Sequence, residues 1–236
     1  MLKIYDDHET LSRAAAELFA QEARRVVPAA GSFSVCISGG ETPRRAYQLL
    51  AEKPLRSHIP WHGVQVFFAD ERLVPHADER SNVQMARRAL LDHVPLAESQ
   101  IRAIPTEGEP ERCASRYEAM LMDHFAGRPP RFDLVLLGLG GDGHTASLFP
   151  GTPALDEAER WVAPVYQEGA KMNRVTLTAP ILNQAAKVAF IVSGSEKAAV
   201  LKEVLEGDAQ LPARLIAPVR GELLWLVDRE AARLLE

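Results

Sequence analysis

The strongest constraint in this chain is a set of short, almost wholly apolar runs separated by segments of helical period. Ser34–Ile37 (SVCI), Val64–Ala69 (VQVFFA), Asp133–Gly138 (DLVLLG), Val175–Leu177, Val188–Val192 and Leu223–Val227 are rich in β-branched and aromatic residues. They do not alternate polar with apolar side chains, as strands with one wet face do. Strands of this kind must be covered on both faces, which predicts an α/β fold with a mostly parallel sheet flanked by helices on both faces. In such sheets ligands gather beyond the carboxyl ends of the strands. The most unusual stretches of the sequence stand at three such ends: after Ile37, after Ala69 and after Leu137.

Between the runs, apolar residues recur at helical spacing. Leu11, Ala15, Leu18, Phe19, Ala23 and Val26 mark a first helix, with Thr10 as its expected N-cap and Pro28 and Gly31 as its end. A second helix is expected from Thr42, as cap, and Pro43 through Tyr47 and Leu50. Asn82–Leu91, Glu111–Phe125, Glu196–Leu205 and a C-terminal segment read as further helices. Apart from a turn-rich connector at Gly127–Arg131, nothing interrupts the pattern, and 1–236 reads as a single domain.

Charge narrows the partners. Lys and Arg total 27 against 32 Asp and Glu, a formal net charge of -5. Nucleic acid is therefore not the expected partner, since phosphate backbones are gripped by basic surfaces. Cys36 and Cys113 form neither a CxxC nor a Cys/His cluster, so no disulfide framework or zinc site is signalled, and a reducing compartment fits. The start of the chain is acidic and polar, unlike a signal peptide, and no apolar run approaches the roughly 20 residues that span a bilayer. The expectation is a cytoplasmic protein with no membrane partner, working as a monomer or weak homo-oligomer.

Four constellations can carry chemistry. In Ser38-Gly39-Gly40-Glu41-Thr42-Pro43 two glycines let the backbone approach a ligand, and the helix that follows offers free N–H groups, a combination suited to phosphate or carboxylate. A plain strand-to-helix turn has the same composition. Gly138-Leu139-Gly140-Gly141-Asp142-Gly143-His144 packs four glycines into six residues around an Asp/His pair. An imidazole, titrating near ~6.5, is suited to accept a proton from water. The same stretch holds a lone GxGxxG spacing, too late in the chain to indicate a dinucleotide. Asp70-Glu71-Arg72 ends an apolar strand and is followed by Asp78, Ser81 and Asn82, which could line the same cleft or cap a helix. Arg72 carries a planar fork for an oxyanion. Arg174 starts a strand, and Lys197 lies in the first turn of a helix, where it opposes the helix dipole unless an anion is present. No GxSxG elbow, HExxH or other ligand spacing appears, so neither a covalent serine nor a metal is expected.

Taken in order and spacing, Ser38-Gly39-Gly40-x-Thr42-Pro43, Asp70-Glu71-Arg72 and Gly138-Leu139-Gly140-x-Asp142-Gly143-His144-Thr145-Ala146-Ser147-Leu148-Phe149-Pro150 resemble the 6-phosphogluconolactonase family over essentially the whole chain. The glucosamine-6-phosphate deaminases share the first turn and the Asp-Gly-His loop. They carry an Asn-Glu-Pro-Gly segment after their His, where this chain has Ser147-Leu148-Phe149-Pro150-Gly151, and they usually lack an arginine at the position of Arg72. The resemblance implies a modified Rossmann-like fold, a phosphorylated sugar lactone as substrate and no cofactor. It implies His144 as catalytic base with Asp142 and Arg72 assisting. Ser38, Gly39, Gly40, Thr42, Asp70, Gly141, Arg174 and Lys197 are then expected around the substrate, the phosphate resting on Arg174, Lys197 and the glycine turn. A deaminase-like isomerase and a non-catalytic sugar-phosphate sensor are the alternatives.

Overall fold

A computed structural model describes residues 1–126, 131–166 and 172–236. Except for Arg131, the connector expected at 127–131 lies outside the described residues. The strands are β1 (Leu2–Tyr5), β2 (Phe33–Ile37), β3 (Val64–Phe68), β4 (Asp70–Arg72), β5 (Ile101–Arg102), β6 (Leu134–Leu137), β7 (Val162–Val165), β8 (Arg174–Leu177), β9 (Lys187–Val192) and β10 (Glu222–Asp228). The helices are α1 (His8–Ala30), α2 (Glu41–Ala51), α3 (Leu55–His58), α4 (Asn82–Ala89), α5 (Pro110–His124), α6 (Ala179–Leu182), α7 (Ala198–Glu206) and α8 (Arg229–Ala232).

Seven strands form an all-parallel sheet in the order β1-β10-β9-β6-β2-β3-β5. Every residue of β2 and β6 is buried, as apolar runs without alternation require. The strand order reverses between β2 and β6, so the loops after these two strands diverge and open a crevice. A second, antiparallel sheet, β4-β8-β7, stands beside it. The run Val64–Ala69 leaves the first sheet at Ala69, whose N–H donates to Ile37 while its carbonyl accepts from Leu177 of β8. The charged residues that follow form the short strand β4, paired antiparallel with β8.

Three helix starts and stops differ from the sequence expectation. α1 begins three residues before Thr10 could cap it. Asp7 is the N-cap, its carboxylate accepting the Thr10 N–H, and the Thr10 hydroxyl, at the third helical position, accepts the Asp7 N–H, forming a reciprocal capping box. Pro28 lies inside the helix on its exposed side, removing one bond without ending it, and Gly31 closes it in the left-handed conformation at φ 79°. α2 starts two residues earlier than a Thr42 cap would place it: Gly40, at φ 111°, is its N-cap, and Pro43 falls third instead of first. Strands β1, β5 and β7 were not legible, being short and lying at or near sheet edges.

Candidate active site

One cleft of about 430 Å³ opens at the switch point between β2 and β6, and its walls come from six segments of the chain, the start of α4 at Asn82 among them. Ser38, Gly39, Gly40 and Thr42 contribute from the turn after β2, Asp70 and Arg72 from β4, Gly141 and His144 from the loop after β6, Arg174 from β8 and Lys197 from the turn before α7. Of the sequence-expected residues, only Asp142 is not part of the wall. It stands behind His144, its Oδ1 lying 2.5 Å from the ring Nδ1 and accepting the His144 backbone N–H at 3.1 Å.

That arrangement fixes the imidazole. Burial pushes the Asp142 carboxyl up, but the hydrogen bonds from the His144 ring and backbone outweigh it, so the group sits below the ordinary 3.8 and is ionised at neutral pH. An ionised acceptor at Nδ1 keeps the ring proton there and leaves Nε2 with its lone pair. Gly140 is required beneath the ring: a Cβ there would come within 2.1 Å of Nδ1. Gly143, at φ 81°, makes the tight turn that brings His144 back over Gly140.

The second sheet supplies cations. In the β4–β8 register Arg72 is the direct partner of Arg174. Two like charges opposite each other repel in the absence of an anion. Burial and the nearby Arg72 guanidinium both lower the Arg174 pKa against the pull of Asp70. Arg72 donates from Nη1 to the Arg80 carbonyl at 2.7 Å, while its Nε is buried without a partner among the described residues. Lys197 sits at the end of a short 3-10 turn, Ser195–Lys197, and is the N-cap of α7, which no side chain among the described residues caps. Ser38 is almost fully buried, and its hydroxyl also lacks a partner among the described residues, although its carbonyl accepts from Tyr47. Among the described residues no side chain caps α2 either, which leaves its first-turn N–H groups uncapped where Gly40, Glu41 and Thr42 face the cleft.

A buried polar frame holds these groups in place. The Asn82 side chain donates to the Asp70 carbonyl and carboxylate at 2.9 and 3.1 Å, and it packs so closely on Gly39 that a Cβ there would lie 1.9 Å from its oxygen. Ser147 donates to the Asp70 carboxylate at 2.5 Å. Glu71 is fully buried and accepts four hydrogen bonds, from the N–H groups of Arg72, Asn82 and Val83 and the Ser81 hydroxyl. It welds β4 to the start of α4. Ser81 does cap α4, Asn82 lines the cleft, and Asp78 turns away to pair with Arg80. Sequence reasoning missed Glu71 and Ser147 as organising residues. The signal available was weak: a charge and a hydroxyl next to more conspicuous neighbours. The cleft also takes in Glu41, Thr145, Ser193 and Glu196.

Among the described residues no group of three His, Cys, Asp or Glu side chains is placed to hold a metal ion, and no helix is long and apolar enough to cross a membrane. Fold and site together define an α/β protein with a switch-point cleft lined by a carboxylate-oriented histidine and by the cationic side chains of Arg72, Arg174 and Lys197.

Residues 6–225 match the family model for glucosamine-6-phosphate isomerases/6-phosphogluconolactonase. A 6-phosphogluconolactonase from Synechocystis is 44% identical over 208 residues, covering 85% of this chain and 84% of its own. The human 6-phosphogluconolactonase is 39% identical, covering 100% of this chain and 93% of its own. The crystal structure of 6-phosphogluconolactonase from Leishmania guyanensis superimposes with a TM-score of 0.87 at 30% identity, covering 100% of this chain and 98% of that one. The chain belongs to the glucosamine-6-phosphate isomerase/6-phosphogluconolactonase family.

Proposed function

We propose that the protein hydrolyses 6-phospho-D-glucono-1,5-lactone to 6-phospho-D-gluconate, the ring-opening step of the oxidative pentose phosphate pathway. The observation that carries the mechanism is His144, tied to Asp142 through Nδ1, lining the same cleft as the Arg72–Arg174 pair. The relatives named as 6-phosphogluconolactonases over nearly their full lengths support the choice of substrate.

In this reading His144 Nε2 takes a proton from water as the water oxygen bonds to the lactone carbonyl carbon. Asp142 stabilises the imidazolium. The carbonyl oxygen gains negative charge and is met by Arg72 and by backbone N–H groups of Gly40 or Gly141, donors already in place. The ring C–O bond then breaks, and the imidazolium returns its proton to the departing ring oxygen, leaving a hydroxyl and a carboxylic acid, which releases water's second proton to solvent to become the carboxylate. Base assistance of this kind contributes about 10²–10⁴-fold. Arg174, Lys197, Ser38, Thr42 and the Gly39-Gly40 turn hold the phosphate, remote from the reacting carbon, so that its binding energy fixes the ring. Asp70, held by Asn82 and Ser147, orders the cation side of the cleft. No metal or cofactor takes part. Cys36 and Cys113 are buried free thiols, which supports a cytoplasmic setting; we place the working form as a monomer or weak homo-oligomer.

The test is to generate the lactone in situ and follow its disappearance against the spontaneous rate. Wild-type protein should accelerate it, and His144→Ala should lose most of that acceleration while retaining phosphate-ligand affinity. Near wild-type turnover in His144→Ala removes His144 from the base role. Ammonia release from glucosamine 6-phosphate without lactone hydrolysis would replace the reaction itself.

A further inference from the structure

Phe149 is not part of the cleft wall, yet it touches both halves of the machinery behind it. Its ring centroid lies 4.4 Å from that of His144, and the Arg174 guanidinium carbon stands 5.1 Å from the Phe149 centroid. The imidazole is therefore held on three sides, by the Asp142 carboxylate, by bare Gly140 and by an apolar ring. The guanidinium is held as well: Phe149 lies against it, Ser147 is 3.5 Å away and the Asp70 carboxylate 3.8 Å away.

A backbone device makes this possible. Ala146 adopts φ 49°, a left-handed conformation costly for a residue with a Cβ, and the Leu148 N–H closes the turn onto the Thr145 carbonyl at 2.9 Å. The Thr145 hydroxyl anchors the turn to Gly138. The reversal sends Ser147 inward toward Asp70 and folds Phe149 back over His144, five residues after it. Eight residues, 142–149, thus orient both the base and the arginine that faces it from another sheet.

We propose that Phe149 is a positioning residue for ring opening: its ring sets the separation and mutual orientation of the His144 imidazole and the Arg174 guanidinium. The proposal rests on the reading of His144 as base. A face-on aromatic ring attracts the guanidinium through its quadrupole and offers the imidazole an apolar wall that no water can occupy. It fixes a base and a substrate-binding cation to one another without adding a charge. A displacement of about 1 Å between such groups is enough to cost 10²-fold in rate.

The experiment compares Phe149→Leu, Phe149→Tyr and Phe149→Glu with His144→Ala on lactone generated in situ, reading kcat and KM separately across pH. Phe149→Leu removes the ring and should lower kcat about tenfold or more and raise KM, at unchanged folded fraction; Phe149→Tyr keeps the ring and should restore both. Phe149→Glu sets a carboxylate between the imidazole and the guanidinium. The charges already facing the imidazole are Asp142 on its own loop and, around the cleft, Asp70, Arg72, Arg174, Lys197, Glu41 and Glu196. A new anion in contact favours the charged imidazole, so the acid limb of the kcat/KM profile should move upward by about one pH unit. A ring that merely fills space would lower thermal stability and leave kcat and KM of the folded Phe149→Leu protein where they were; the Phe149→Glu limb reports the contact with His144 itself. His144→Ala inactive beside a Phe149→Leu with wild-type kcat, KM and pH profile overturns the proposal alone, as does a Phe149→Tyr no better than Phe149→Leu. His144→Ala with wild-type turnover overturns the base reading and the proposal with it.

Discussion

The two ends of the parallel sheet use the same kinds of residue to opposite effect. At the carboxyl ends, Asp142 orients His144, and Arg72, Arg174 and Lys197 stand around a cleft with hydrogen-bonding capacity left over at Ser38 and Arg72. At the amino ends, His124 shares a hydrogen bond with Ser34 at 3.1 Å, Asp133 accepts the Ser34 N–H at 2.8 Å, and the buried Glu22 binds Lys187 at 2.7 Å and Arg25 at 2.6 Å. The lower set is closed on itself. His124 packs against Phe67 and Phe125, and burial, with Arg102 nearby, lowers its pKa, so it stays neutral. Residue type does not separate a site from a structural cluster; unspent hydrogen-bonding capacity facing a cavity does.

The sharpest way to break this comparison is to truncate both histidines. His144→Ala should lower turnover by about 10²–10⁴-fold with little change in melting temperature. His124→Ala should leave turnover per folded molecule intact and cost about 1–3 kcal/mol of stability by denaturant titration. Loss of turnover in folded His124→Ala would erase the distinction. The lysines come next. Lys187→Met strands the Glu22 carboxylate, 4% exposed at the side chain, with Arg25 alone and should destabilise the fold by on the order of 3 kcal/mol. Lys197→Met has no ion pair to break among the described residues. It should leave stability within ~0.5 kcal/mol and raise KM about tenfold or more, the worth of one charge-assisted hydrogen bond to phosphate.

Glu71 sharpens the contrast from within, because it lies at the upper end yet is as closed as anything below. Glu71→Gln turns one acceptor oxygen into a donor that faces donors, and should cost about 2 kcal/mol at pH 7. Burial, outweighing its four hydrogen bonds, raises the carboxyl above its ordinary 4.5. The folded state then takes up a proton before the unfolded chain does, so this group's contribution to stability grows as pH falls through the window just above 4.5 and is lost as pH rises. The stability gap between wild type and Glu71→Gln should widen correspondingly on acidification.

The fold was legible where periodicity was strong. Buried strands such as β2 and β6 declare themselves by unbroken apolar runs, and α1 by its stripe. Edge elements carry no such mark: Leu2 and Ile4 of β1 are largely exposed, and β5 is two residues long. The site was legible where chemistry required an odd composition, as in the glycines around His144. It was not legible where an ordinary residue acts through distance. Nothing in the letters Ser147 or Phe149 says that one reaches Asp70 and the other Arg174, because those contacts span 77 and 25 positions along the chain.

By itself the sequence determined the layered α/β architecture, the turn after β2 and the glycine-lined loop of His144, since these follow from local periodicity and from backbone conformations that few residues tolerate. Tertiary structure alone decided that Val64–Ala69 continues into a second sheet, that Arg72 meets Arg174 strand to strand, and that Asp142 stands behind the cleft instead of in its wall. Those outcomes depend on which distant segments pair. Pairing is settled by burial and hydrogen-bond closure across the whole chain, which no local stretch of it encodes.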